Sequence, residues 1–144
     1  MRAPGLAIPF FLIFSSCGKE DIDLNPFASG PYGVGVMTTT FYDTSRKTPS
    51  AGSFPEESSR TLVTEIWYPA SQGNVKKPER NAQPYMGDGP YPLVIFAHGA
   101  MSFRNQSAFL CKHLASHGYV VMSPDFPISS FKKFVGMSPS DVVN

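Results

Sequence analysis

The sequence predicts an α/β fold: a mostly parallel sheet with an antiparallel pair of strands at its amino-terminal edge. Three observations predict it. The run Pro92-Leu93-Val94-Ile95-Phe96-Ala97 is apolar without alternation and is broken by His98-Gly99, the pattern of a buried parallel strand that stops in a turn. A second apolar run, Tyr119-Val120-Val121-Met122-Ser123, follows after one helix-length segment. Strand, helix and strand at that spacing form a βαβ unit. Upstream, Thr61-Leu62-Val63-Thr64-Glu65-Ile66-Trp67-Tyr68 alternates strongly, as a strand in a sheet with two unlike faces does.

Taken in order, residues 1–16 read as a signal peptide. Arg2 supplies the positive start, residues 6–14 are apolar, and the small residues Ser15-Ser16 precede Cys17. This is the order of basic, apolar and small-residue regions in an export signal, and the apolar run is shorter than the roughly 20 residues a spanning helix needs. Cys17 after two small residues resembles a bacterial lipobox, so it is the expected lipidation site and the link to a membrane. A plain secretory signal cut nearby, or an uncleaved anchor, is the alternative. Residues 17–31 read as a tether and 32–144 as the domain.

Within the domain, residues 34–42 are rich in Thr, Val and aromatic side chains and predict a first strand. Ser, Pro, Gly and Glu mark 44–59 as a loop, and the second strand at 61–68 ends at Pro69. A second long loop covers 70–90, and the third strand is 92–97. Ser102 or Asn105 is placed to cap a helix over 106–117, whose apolar stripe of Ala108, Cys111, Leu114 and Ala115 faces the sheet. Gly118 ends it in the left-handed position, and the fourth strand is 119–123, followed by Pro124-Asp125. No structure is predicted for the tail after Phe126.

Composition narrows the function classes. With 12 Lys+Arg against 11 Asp+Glu among 144 residues, no general attraction to nucleic acid is expected. The 14 Pro and 12 Gly fit short strands joined by long irregular connections. If Cys17 carries lipid, Cys111 is the one remaining thiol, and its apolar neighbours make it a core residue rather than a nucleophile. His113 and His117 share a spacing that can chelate zinc, but no third ligand or intervening Glu accompanies them, so they read as solvent-facing helix residues and no metal or other cofactor is expected.

The blocks Ile66-Trp67-Tyr68-Pro69, Tyr91 to Gly99, Leu114 to Val121 and Ser123-Pro124-Asp125-Phe126-Pro127 together resemble the α/β-hydrolase superfamily. Within it they are most similar to dienelactone-hydrolase-like proteins and to platelet-activating-factor acetylhydrolase-like esterases. The resemblance implies a partial α/β-hydrolase fold in which the Ala100 N–H is one of two donors to an ester oxyanion. It also implies that His98 and Gly99 position the turn, and that nucleophile, acid and base come later in the order Ser, Asp, His. The nucleophile should stand in Gly-x-Ser-x-Gly. The nearest string, Gly136-Met137-Ser138-Pro139-Ser140, has no apolar strand before it and no closing glycine. Pro139 also lacks the N–H that would be the second oxyanion donor. Residues 32–144 thus read as an incomplete hydrolase domain. The expected protein is the amino-terminal part of an exported serine hydrolase acting on a small carboxylic ester or lactone, inactive alone. The alternative is a non-catalytic exported lipoprotein that uses the half-domain for binding.

Overall fold

Glycine and β-branched residues alternate in GVGVMTTTFYD, and this segment forms the strand β1 (Gly33–Asp43). The computed structural model describes residues 25–52 and 54–129; the signal segment, Cys17 and the string at 136–140 lie outside them. β1 pairs antiparallel with β2 (Arg60–Ala70) along its whole length, from Gly33 opposite Ala70 to Asp43 opposite Arg60. The loop expected at 44–59 joins them. Buried Thr48 holds it to the sheet by donating its hydroxyl to the Ser59 carbonyl at 2.8 Å.

β2 does not stop at Pro69 but continues to Ala70. The Pro69 carbonyl accepts from the Tyr85 N–H at 3.0 Å, so this residue's polar edge points away from β1. On that side the neighbouring strand pairs with β2 only between Thr64 and Trp67. The missing N–H of Pro69 therefore faces a position where no ladder bond is needed. The loop expected at 70–90 contains a two-residue strand, β3 (Glu79–Arg80), parallel to β1. Two charged residues carry no apolar pattern, which is why this strand is silent in the sequence.

The third expected strand is shorter than its apolar run, being β4 (Leu93–Ile95), and the helix α1 (Ala108–Ser116) starts two residues late. Ser107, not Ser102 or Asn105, takes the N-cap position, and its side chain makes no capping bond. Gly118 adopts φ +90 just past the helix, as expected, with its backbone N–H on the Ala115 carbonyl at 3.1 Å. β5 (Val120–Pro124) then returns parallel to β4 and antiparallel to β2, giving the sheet order β3-β1-β2-β5-β4. Residues 30 and 32 are held to the end of α1: Gly30 N–H donates to the Ser116 hydroxyl at 3.0 Å and Tyr32 N–H to the Ser116 carbonyl at 3.1 Å.

One face of the sheet carries the main core. Val34, Val36, Trp67 and Val121 meet Cys111 and Ala115 of α1, flanked by Val94, Phe96 and Leu114. The other face holds a smaller cluster of Tyr68, Ala70 and Ala82 with Ile66 and Val120, closed by the Tyr68 hydroxyl on the Ala82 carbonyl at 2.9 Å. Among the described residues β4 is an edge strand, and Leu93 and Ile95 on it are 56% and 57% exposed.

Candidate functional site

Parallel strands β4 and β5 end side by side, so the segments that leave them meet at the carboxyl edge of the sheet, where open α/β sheets bind ligands. Beyond Ile95 the chain stays extended, with Phe96 N–H on the Met122 carbonyl at 2.8 Å. It then turns through His98, Gly99 and Ala100, the three residues the sequence singles out.

His98 is 7% exposed and both ring nitrogens are engaged. Nε2 accepts the Phe126 N–H at 3.2 Å, which leaves the proton on Nδ1, and Nδ1 donates to the Gly99 carbonyl at 2.8 Å. The imidazole also lies 5.6 Å from the Phe126 ring. It ties the turn after β4 to the segment after β5, and no lone pair is left to take a proton from a nucleophile. Around it, Gly99 N–H donates to Gln106 Oε1 at 3.2 Å and Met101 N–H to the Ser129 carbonyl at 3.0 Å. The exposed Ala100 N–H between them donates no hydrogen bond among the described residues.

A charge network centred on the buried Glu65 braces the same loop, and sequence reasoning missed most of it. Arg104 donates its backbone N–H to Asp125 Oδ1 at 2.6 Å and Nη1 to Oδ2 at 2.5 Å. Its carbonyl accepts the Ser123 hydroxyl at 2.8 Å. Arg104 Nε lies 3.5 Å from Glu65 Oε2, a carboxylate only 2% exposed. Glu65 also takes the Thr38 hydroxyl and Arg80 Nη2, each at 2.7 Å. A carboxylate this buried is stable only with such partners. Asp125 follows β5 at this edge of the sheet, and both its oxygens are held by Arg104. The one legible signal was Glu65, a charge at an inward position of an alternating strand.

The other candidates are placed elsewhere. Cys111 is fully buried in the core, and burial pushes its thiol up to about 11, so it is no nucleophile at neutral pH. His113 and His117 stack at 4.6 Å, and His117 Nε2 bonds the Ala28 carbonyl at 3.0 Å. No group of three potential metal ligands occurs among the described residues. The geometry therefore offers an exposed peptide N–H with no acceptor among the described residues, in a loop held by His98 and by the Arg104–Asp125 pair.

A family model described as "Platelet-activating factor acetylhydrolase, isoform II" matches residues 55–130. A platelet-activating factor acetylhydrolase from Cavia porcellus is 29% identical over 76% of this chain, which spans 30% of that protein. Among solved structures, a ferulic acid esterase from Streptomyces cinnamoneus is similar with a TM-score of 0.58 and 21% identity, over 72% of this chain and 36% of its own. That likeness concerns the fold.

Proposed function

Because the chain belongs to the platelet-activating factor acetylhydrolase, isoform II, family and its sheet is part of an α/β-hydrolase fold, we propose that it is the amino-terminal part of an exported serine hydrolase that cleaves a carboxylic ester or lactone. Arg2, the apolar segment and Cys17 support export and attachment to a membrane through lipid on that cysteine. The site reading rests on the Ala100 N–H, which has no acceptor among the described residues while its neighbours at Gly99 and Met101 are both bonded.

In the intact enzyme a serine attacks the ester carbonyl and the carbonyl oxygen gains negative charge. Ala100 N–H donates to that oxygen, and the amide after the serine supplies the second bond. Removing one such donor costs roughly 10²–10³ in kcat. His98 contributes by holding the turn rather than by moving a proton.

The test is an assay of p-nitrophenyl acetate hydrolysis by the purified chain. No turnover above buffer is expected, because the nucleophile is not among its residues. Hydrolysis abolished by Ser138→Ala would overturn the assignment. In an active enzyme completed by a downstream Gly-x-Ser-x-Gly segment, Ala100→Pro is expected to lower kcat by roughly 10²–10³ with little change in KM.

A further inference from the structure

At the opposite end of the sheet, where β1 begins and β2 finishes, lies a cleft of about 380 Å³ whose lining includes Tyr32, Gly33, Ala70, Tyr85 and Asp88. We propose that this cleft binds a small alkylated ammonium ion against the rings of Tyr32 and Tyr85, with the Asp88 carboxylate as counter-charge.

The two ring centroids are 5.8 Å apart with their planes inclined at 42°, so the rings pack on each other, and a cation in the cleft they line meets an aromatic face within the roughly 6 Å at which it attracts. Both rings are held before any ligand arrives. A methyl group on Gly118 would stand 3.2 Å from Tyr32 Cε2, and one on Gly87 would stand 2.6 Å from the Tyr85 hydroxyl oxygen. Tyr91 sets its ring at 78° to Tyr32, with centroids 5.6 Å apart. The Tyr32 hydroxyl donates to Asp88 Oδ2 at 2.8 Å. That bond pushes the Tyr32 hydroxyl up to about 12, so it remains a donor and keeps the carboxylate oriented. Asp88 Oδ1 accepts no bond among the described residues.

The chemistry of the lining selects the ligand class. Among the described residues no Lys, Arg or His lines the cleft, and the backbone carbonyls of Ala70 and Gln72 crowd Gly33, at 2.6 and 2.7 Å from where its Cβ would be. An anion meets the Asp88 carboxylate there and no cationic side chain among the described residues. A calcium ion needs roughly six to eight oxygen ligands, more than one carboxylate and its neighbours provide. A bare ammonium is compact and strongly hydrated, and ring faces replace its water poorly. An alkylated ammonium is weakly hydrated and suits two rings and one carboxylate.

The site is independent of ester cleavage, and its test needs no turnover. The full chain is titrated with tetramethylammonium chloride and followed by proton NMR, against sodium chloride at equal ionic strength and against tert-butanol as a neutral ligand of the same shape. Saturable shifts of the Tyr32 and Tyr85 ring protons are expected with tetramethylammonium alone. Tyr85→Leu and Asp88→Asn should each weaken binding by roughly fivefold. Asp88 is exposed, so its variant reports on binding even if Tyr85→Leu fails to fold. The inference is overturned if tetramethylammonium moves no tyrosine ring signal. It is also overturned if tert-butanol binds equally well, or if Asp88→Asn binds as tightly as the parent chain.

Discussion

Replacing Asp125 by alanine removes both oxygens that hold the loop carrying Ala100, and the structure sets the size of the effect. Asp125 accepts two bonds from Arg104, at 2.6 Å from the backbone and 2.5 Å from the guanidinium, and the two side chains are only 15% and 23% exposed. A hydrogen bond to a charged group contributes about 1.5–3 kcal/mol, and breaking a fully buried ion pair costs about 3–5 kcal/mol. Arg104 keeps Glu65 at 3.5 Å and some access to water, so the loss should lie at the lower end, about 3 kcal/mol. That is a large part of the roughly 5–15 kcal/mol that stabilises a domain. Trp67, the one tryptophan and 3% exposed, reports unfolding by its fluorescence. Urea titrations of Asp125→Ala, Arg104→Ala and the double variant give the coupling directly. A loss below about 1 kcal/mol, or two single losses that simply add, would refute the claim that this pair locks the loop.

Three further outcomes follow from the same contacts. Cys111, raised by burial to about 11, should resist iodoacetamide at pH 8 until urea unfolds the chain; because the folded thiol is favoured, its contribution to stability is complete below about 9 and is lost as pH rises through about 11. Fast labelling of the native chain would contradict this. Gly118→Ala forces a side chain into φ +90 and to 3.2 Å from Tyr32, and should cost about 1–2 kcal/mol in the urea midpoint. Ile95→Lys places a charge on the exposed β4 edge, so sedimentation should show less self-association than the parent, with stability changed by no more than about 0.5 kcal/mol. A parent chain that stays monomeric at high concentration would remove the basis for that expectation.

The order of elements was legible because it is written in local polarity. Alternation at 61–68, the unbroken apolar run at 92–97 and the stripe through Cys111 and Ala115 each report which faces of their own segment are dry, and the structure places them accordingly. The His98-Gly99-Ala100 turn was legible for the same reason, since a glycine breaks an apolar run at one point. The departures also have causes. β2 passes through Pro69 because, among the described residues, no strand pairs with it on that edge, and β3 exists only because its backbone reaches β1.

What the sequence determined by itself is therefore the family, the strand and helix pattern, and the turn that presents Ala100. Only the tertiary structure decided that Arg104 meets Asp125 and Glu65, that both nitrogens of His98 are occupied, and that Tyr32 and Tyr85 converge on one cleft with Asp88. Periodicity records how a residue relates to its own segment. These partners lie in different segments, brought within bonding distance only when the sheet closes, so no local pattern encodes them.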